Sequence, residues 1–169
     1  MTRTASPTGH RAQGFSLIEV LVALLVLSIG LLGLAALQTT SLKYNTDSYV
    51  RTQATLLAYD IVDRMRLNSS EAVTGGTYNV PTTAAATTIR SNYSSCVSSS
   101  CACDTSSCNA TSLATYDLGQ WYDKINATLP GSTGANLPTI SIDSSKMVTI
   151  SMRWTERDLP KTQSWMVQL

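Results

Sequence analysis

A single carboxylate, Glu19, lies inside the most apolar stretch of the chain. This stretch covers residues 15–37, and its only other interruptions are Ser16, Ser28, Gly30 and Gly33. Glu19 is also the only charged residue between Arg11 and Lys43. A carboxylate near the middle of a bilayer costs about 2.5–3.5 kcal/mol on insertion scales, so an acid at such a position is a functional hypothesis by default. We therefore expect Glu19 to have a partner of opposite charge.

The remaining reactive side chains argue against catalysis and against nucleic-acid binding. The chain has twelve Lys and Arg residues and eleven Asp and Glu residues, and it has no basic cluster of the kind that binds nucleic acid. The only histidine, His10, has no clustered partner, and we interpret it as a spare cation in the N-terminal segment. No nucleophile–base pair, metal-ligand set or phosphate-binding loop is visible. The sequence thus predicts no enzymatic activity, no metal and no cofactor.

Hydrophobic periodicity predicts one long helix around Glu19. Residues 1–14 are short, polar and basic, and they are typical of a leader segment. Residues 15–37 would form a helix of about 34 Å, long enough to span a bilayer. Residues 38–68 are predicted to form the amphipathic second half of the same helix, which ends at about residue 67. Their apolar residues recur at spacings of three, four and seven. We interpret the charges of this half, Asp60, Asp63, Arg64 and Arg66, as a solvated face.

The apolar run fits a cleaved secretory signal, a plain signal anchor or a prepilin signal. It is longer than the usual secretory core of about 7–15 residues, and neither of the first two explains Glu19. The residues Gly14-Phe15-Ser16-Leu17-Ile18-Glu19, followed by Val-Leu-Val-Ala-Leu, closely resemble the prepilin motif. This resemblance implies that a prepilin peptidase of the inner membrane cuts between Gly14 and Phe15 and methylates the new N-terminus. It also implies that Glu19 pairs with the methylated amine of a neighbouring subunit.

Later segments resemble the minor pilins of the PilV type. The resemblance rests on residues 54–68, on Asp117-Leu118-x-x-Trp121 and on Leu129-Pro130-Gly131. Val62 departs from the alanine common at its position, and the proline usual in major pilins near Ala36 is missing. The implied fold is α+β and pilin-like: a long N-terminal helix, a small antiparallel sheet and a second short helix. The implied partners are other minor and major pilins, and the implied location is the bacterial inner membrane, with a periplasmic C-terminal domain, and then the pilus.

The four cysteines, Cys96, Cys101, Cys103 and Cys108, form a loop at 96–108 within the predicted exported domain, 69–169. Their spacing differs from the separated pairs usual in structural zinc sites, and an oxidising periplasm favours disulfides. A bond between Cys101 and Cys103 would be the most strained, because only one residue separates them. We favour Cys96–Cys101 with Cys103–Cys108, while the crossed pairing, Cys96–Cys103 with Cys101–Cys108, stays open.

The rest of the exported domain is predicted to be a helix and a hairpin after an irregular region at 69–115. Apolar spacing predicts a helix at 116–129, with Asp117 as its N-cap or as an acid in its first turn. Alternation predicts strands at 139–142, 147–154 and 163–169. Trp121, Trp154 and Trp165 are the expected core anchors.

The favoured function is a minor pilin that assembles into, or primes, a type IV pilus and so supports twitching motility, adhesion or DNA uptake. A type II secretion pseudopilin shares the signal and the long helix. A membrane-anchored adhesive module, recognising a surface through its Ser/Thr/Cys loop, belongs to another class. The cysteine loop and the Asp117/Trp121 pattern favour the pilus.

Overall fold

The computed structural model describes residues 14–98, 103 and 107–169 of the 169-residue chain. The chain divides into two compact units, Met1–Asn45 and Thr46–Leu169. Helix α1, Leu17–Leu67, belongs to both, and its bounds confirm the predicted helix to within two residues at its start. Within the described residues, α1 is the one helix whose length and apolar composition would allow it to cross a membrane.

The second unit adds two helices and one sheet to its part of α1. A single π-helical turn, Glu71–Gly75, precedes helix α2, Thr83–Ser98, and helix α3, Ala110–Thr128. A short 3₁₀ turn, Gly134–Asn136, leads to strands β1, Thr139–Ile142, β2, Met147–Glu156, and β3, Leu159–Gln168. The result is the α+β fold of type IV pilins that the resemblance implied.

The sheet is antiparallel in the order β1-β2-β3. Arg157 and Asp158 form the two-residue turn between β2 and β3, and both have positive φ, as such turns require. Predicted strand β1 is confirmed, whereas the hairpin strands extend further towards their turn than predicted. Pro160 lies inside β3, where it is tolerated because β3 is an edge strand.

The core of the second unit joins one stripe of α1 to α3 and to one face of the sheet. Trp121 is fully buried, and its indole Nε1 donates a 2.7 Å hydrogen bond to the carbonyl oxygen of Leu57. Strand β2 alternates as predicted, with its inward side chains buried. The α1 stripe and the inward residues of β2 are Val50, Ala54, Leu57, Ala58, Ile61, Val62 and Met65, and Val148, Ile150, Met152 and Trp154.

The irregular region predicted at 69–115 is wrong, because it contains α2 and the first turns of α3. The Ala/Thr run at 82–88 is helical, and the Thr82 hydroxyl caps it by accepting a 3.2 Å hydrogen bond from the Ala85 amide. Helix α3 begins six residues earlier than predicted. Its N-cap is Asn109, whose side chain accepts a 2.8 Å hydrogen bond from the Ser112 amide, and not Asp117.

A glycine allows α2 and α3 to approach each other closely. A Cβ atom placed on Gly119 would lie 2.0 Å from Cγ of Tyr93 on α2. The ring of Tyr93 also packs against Tyr116 of α3, with 5.6 Å between the ring centroids. Any larger residue at position 119 would therefore push the two helices apart.

Candidate functional site

The N-terminal segment presents its motif residues on an open surface. Gly14 and Phe15 precede α1, and the Phe15 side chain is 84 % exposed. A Cβ atom on Gly14 would meet nothing within 4 Å, and the φ angle of Gly14 is not positive. Neither packing nor backbone strain within the described residues thus requires glycine at this position.

Glu19 lies in the first turn of α1, where the helix dipole favours an anion. Its amide donates a 3.0 Å hydrogen bond to the carbonyl oxygen of Ser16. Among the described residues, no cationic side chain lies within ion-pair distance of its carboxylate. The carboxylate is therefore available to a cation from outside these residues.

The apolar side chains around Glu19 are exposed along the helix. From Phe15 to Leu37, the exposed fraction of the large apolar side chains runs from 48 % at Val20 to 90 % at Leu17. Soluble surfaces rarely expose so large an apolar area, and helices that are apolar all round are normally covered by lipid or protein. We therefore expect lipid or other protein chains to cover this part of α1.

Three hydroxyl groups of this first unit are satisfied within the helix itself. Ser28, Thr39 and Thr40 each donate a hydrogen bond to the carbonyl oxygen four residues earlier, at 2.7, 3.0 and 3.0 Å. Such back-bonding satisfies a hydroxyl without a partner from outside the helix. Among the side chains of residues 15–37, Glu19 is therefore the charged group that still lacks a partner of opposite charge within the described residues.

In the second unit, Arg64 and Asp117 form a largely buried ion pair between α1 and α3. Arg64 Nη1 lies 3.0 Å from Asp117 Oδ1, and the two side chains are 19 % and 11 % exposed. The other carboxylate oxygen accepts a 2.6 Å hydrogen bond from the Tyr78 hydroxyl. Burial, with the adjacent Asp117 carboxylate, holds the pKa of Tyr78 well above its usual value. The predicted solvated face is therefore wrong for Arg64.

A second ion pair connects α1 to the β2–β3 hairpin. Arg51 donates two parallel 2.8 Å hydrogen bonds, from Nε and Nη2, to the two carboxylate oxygens of Glu156. Trp154 Nε1 donates a further 2.9 Å hydrogen bond to Glu156 Oε1. These bonds, chiefly that from Arg51, lower the pKa of Glu156 to about 2. In the same region, Arg157 lies 2.7 Å from the largely buried carboxylate of Asp47.

Glu71 is a buried carboxylate held by hydroxyl and amide groups. It accepts hydrogen bonds from the hydroxyl and the amide of Thr77 and from the Thr111 hydroxyl, the last at 3.1 Å. The Thr77 hydroxyl is the main reason why the pKa of Glu71 lies below its usual value. Because Thr77 lies in the turn after the π-helical segment and Thr111 in the first turn of α3, Glu71 joins these two parts of the fold and has a structural role.

The structure contains a disulfide between Cys103 and Cys108, whose Cα atoms lie 5.5 Å apart. This bond belongs to the favoured pairing and is incompatible with the crossed one. The proposed partner bond, Cys96–Cys101, lies outside the described residues. Among the described residues, no group of three or more His, Cys, Asp or Glu side chains is placed to hold a metal ion.

The three tryptophans differ in their burial. Trp121 and Trp154 are buried, at 0 % and 3 % exposed, whereas Trp165 is half-buried and packs on the edge of the core. Met166, the next residue of β3, is 75 % exposed.

The sequence did not reveal the Arg64–Asp117 pair, because hydrophobic periodicity assigns a helical face but not the distant element that covers it. The only available signal was the acid of Asp117 on a predicted apolar helix.

Comparisons with known families match both units. The family described as a prokaryotic N-terminal methylation motif matches residues 9–35, which include Gly14, Phe15 and Glu19. The family described as Type IV pilin Tt1218 matches residues 36–119, from α1 into α3. Searches of curated proteins and of solved structures each found no match. The two adjoining matches and the fold together identify this chain as a type IV pilin with an N-terminal methylation motif.

Proposed function

We propose that the chain is a minor pilin, processed by a prepilin peptidase and then assembled into, or priming, a type IV pilus. Cleavage falls between Gly14 and Phe15, and the amine of Phe15 is methylated. Glu19 then pairs with the methylated amine of a neighbouring pilin. Before assembly the protein is a single-pass inner-membrane protein, with the unit Thr46–Leu169 in the periplasm.

The processing step is supported by the freedom of the motif residues. The methylation motif covers the junction between Gly14 and Phe15, and both residues lie outside α1. Because nothing in the described fold requires glycine at position 14, a requirement for glycine would come from the peptidase. The open Phe15 side chain is accessible to an enzyme that must reach the adjoining peptide bond.

The assembly step is carried by one observation, the carboxylate of Glu19 on an exposed apolar helix with no cation in reach among the described residues. A desolvated charge is strongly destabilised unless a charge of opposite sign compensates it. Cleavage creates a positively charged N-terminus at Phe15, and the amine of a neighbouring subunit would supply the cation that Glu19 lacks. This pairing accounts for an acid that otherwise only weakens the apolar segment.

The pilus is favoured over the secretion pseudopilus by the family match, since the family that covers residues 36–119 is described as a type IV pilin. The assignment as a minor rather than a major subunit rests on the PilV-type resemblance and on the missing proline near Ala36. Twitching motility and adhesion follow from a role in the pilus. Because pilins are structural subunits and not enzymes, the relevant readouts are processing and assembly.

The proposal is tested by Glu19→Ala in the native host, with Ser28→Ala as the matched control. Ser28 is also a polar residue of the apolar helix, but its hydroxyl bonds to the Leu24 carbonyl of the same helix. We expect the Glu19 variant to insert and be cleaved normally but to be lost from sheared surface fibres, whereas the Ser28 variant is incorporated normally. Normal incorporation of the Glu19 variant would contradict the charge pairing.

A further inference from the structure

The outward face of the sheet is rich in hydroxyl side chains around the middle of β2. Along β2, Thr149, Ser151 and Thr155 alternate with the buried core residues. Thr139 of β1 lies opposite Ser151, and on the other side Ser151 is paired with Ser164 of β3, with 2.5 Å between their hydroxyl oxygens. The one charged residue of β2 on this face is Arg153, paired with Thr162 of β3.

A cavity of about 370 Å³ opens on this face. Val80 exchanges two 2.8 Å backbone hydrogen bonds with Ile140, and the chain that follows Val80 forms one wall of the cavity. Pro81 and Leu137 are its apolar lining. The polar lining consists of Thr82, Thr83, Thr139, Ser151, Arg153 and Thr162. None of the described residues that line this cavity is a carboxylate, so the charge that they supply is positive.

Arg153 differs from the other arginines of the unit Thr46–Leu169. Each of the others lies within 4.0 Å of a carboxylate: Arg51, Arg64, Arg66, Arg90 and Arg157. In the part of the chain that the structure describes, Arg153 forms no ion pair. Its side chain is exposed beside the cavity. The cavity therefore combines an available guanidinium with five hydroxyl side chains.

We propose that this cavity binds a carboxylated saccharide, with Arg153 holding the carboxylate and the Ser and Thr hydroxyls binding the sugar hydroxyls. Guanidinium groups bind carboxylates through paired, charge-assisted hydrogen bonds. Each Ser or Thr hydroxyl can both donate and accept, as a sugar hydroxyl does. The volume lies at the lower end of the range of about 300–1,000 Å³ typical of small-molecule sites, which suits one or two rings of a longer acidic saccharide.

The same lining disfavours nucleic acid as the ligand. Affinity for duplex DNA comes from several Lys and Arg side chains that neutralise successive phosphates. Single strands are bound through aromatic rings on which the bases stack. The described residues that line this cavity include one cation and no aromatic side chain. An acidic sugar therefore fits the available groups better, and this site does not depend on the pilus function proposed above.

The test is isothermal titration of the full-length protein in detergent micelles with trigalacturonate, compared with the neutral trisaccharide maltotriose and with inorganic phosphate. We expect saturable binding of trigalacturonate and no saturable binding of maltotriose or phosphate. Arg153→Gln should weaken it by about tenfold or more, as expected for the loss of a hydrogen-bonded charge. Thr162→Val should weaken it less, because it removes one hydroxyl while keeping a β-branched side chain.

Lys161→Gln is the matched control, because it removes a cation at the position of β3 next to Thr162. Lys161 is paired with Trp154, so it belongs to the opposite face of the sheet and lines a different cavity, with Arg51 and Glu156. We expect this variant to bind trigalacturonate within twofold of the wild type. The proposal is overturned if the wild type binds no trigalacturonate, if maltotriose or phosphate binds equally well, or if Arg153→Gln binds normally with an unchanged circular dichroism spectrum.

Discussion

At the residue scale, Asp117 shows how one side chain holds several elements of the second unit together. Its two oxygens contact Arg64 of α1 and the Tyr78 hydroxyl. Asn68 Nδ2 lies 3.4 Å from the same hydroxyl and donates a 2.7 Å hydrogen bond to the carbonyl oxygen of Ala110. The end of α1, the loop before α2 and the first turns of α3 are thus joined by one polar network.

Replacing Asp117 by Ala should destabilise the second unit strongly. The change leaves the buried Tyr78 hydroxyl without its acceptor and leaves the Arg64 guanidinium with only Asp60 and Gln120. A buried polar group that loses its partner costs about 1–3 kcal/mol. The measurement is chemical unfolding of the full-length protein, followed by near-ultraviolet circular dichroism of its buried aromatic rings. The control is Asp63→Ala, since Asp63 pairs with Arg66 on an exposed helical face. We expect this control to change stability by less than about 1 kcal/mol, and equal losses in both variants would contradict the network.

Glu156 should make the stability of the hairpin region dependent on pH. The Arg51 guanidinium and the Trp154 indole lower the pKa of its carboxylate from 4.5 to about 2 in the folded protein. A lowered pKa stabilises the fold above the unfolded pKa, and this contribution is lost as the pH falls through the folded pKa. The wild type should therefore lose it between about pH 4.5 and pH 2, whereas Glu156→Gln lacks it throughout. Because Arg51 is 56 % exposed, salt should weaken the effect.

Melting temperatures measured at several pH values from 7 to 2 check this prediction. The Glu156→Gln variant should melt lower than the wild type at neutral pH, and the two curves should converge in acid. Asp63→Asn is the control, because its exposed pair with Arg66 should leave the difference between neutral and acid pH almost unchanged. Parallel curves for the wild type and Glu156→Gln would show that the Arg51 pair contributes nothing.

At the scale of elements, the sequence predicts what periodicity can encode. The second half of the long helix and the alternation of β2 were correctly predicted because each has a single buried stripe or face, and the first half because its apolar run is continuous. Helix α2 was missed because its Ala, Thr and Ser residues give no apolar stripe. Its position depends on Gly119, which accommodates Tyr93, and no local pattern reveals such a long-range contact. The true start of α3 was missed because Asp117, inside the helix, resembles an N-cap residue.

The cap assignment predicts different effects for two asparagines of the same helix. Asn109→Ala removes the side chain that accepts from the Ser112 amide, and loss of such a cap typically costs about 1 kcal/mol. Asn126 lies exposed in the last turn of α3, where alanine is the better helix former, so Asn126→Ala should be neutral or slightly stabilising. Thermal unfolding of both variants checks the assignment. Stability unaffected by Asn109→Ala would mean that α3 has no effective cap there.

At the scale of the whole molecule, each unit has its own physical logic. In Met1–Asn45 the described apolar side chains are exposed, and the Glu19 carboxylate has no cation within reach among the described residues. We therefore expect this unit to be covered by lipid or by other protein chains. In the described residues of Thr46–Leu169, a continuous core and five arginines paired with carboxylates support a self-contained unit. The motif at Gly14–Glu19 could be recognised from local sequence alone. Arg153 could not, since the cavity beside it forms only when Thr82 and three strands meet.

Mass spectrometry of the N-terminus of the protein from its native host tests the central claim most directly. We expect the mature chain to lack residues 1–14 and to begin with Phe15 carrying one methyl group on its amine. In the Gly14→Ala variant, the precursor should stay uncut, since packing tolerates the added methyl group and only the peptidase would reject it. An intact leader in the wild type, cleavage at another site such as Ala35, or normal methylation of Phe15 in the variant would contradict the account.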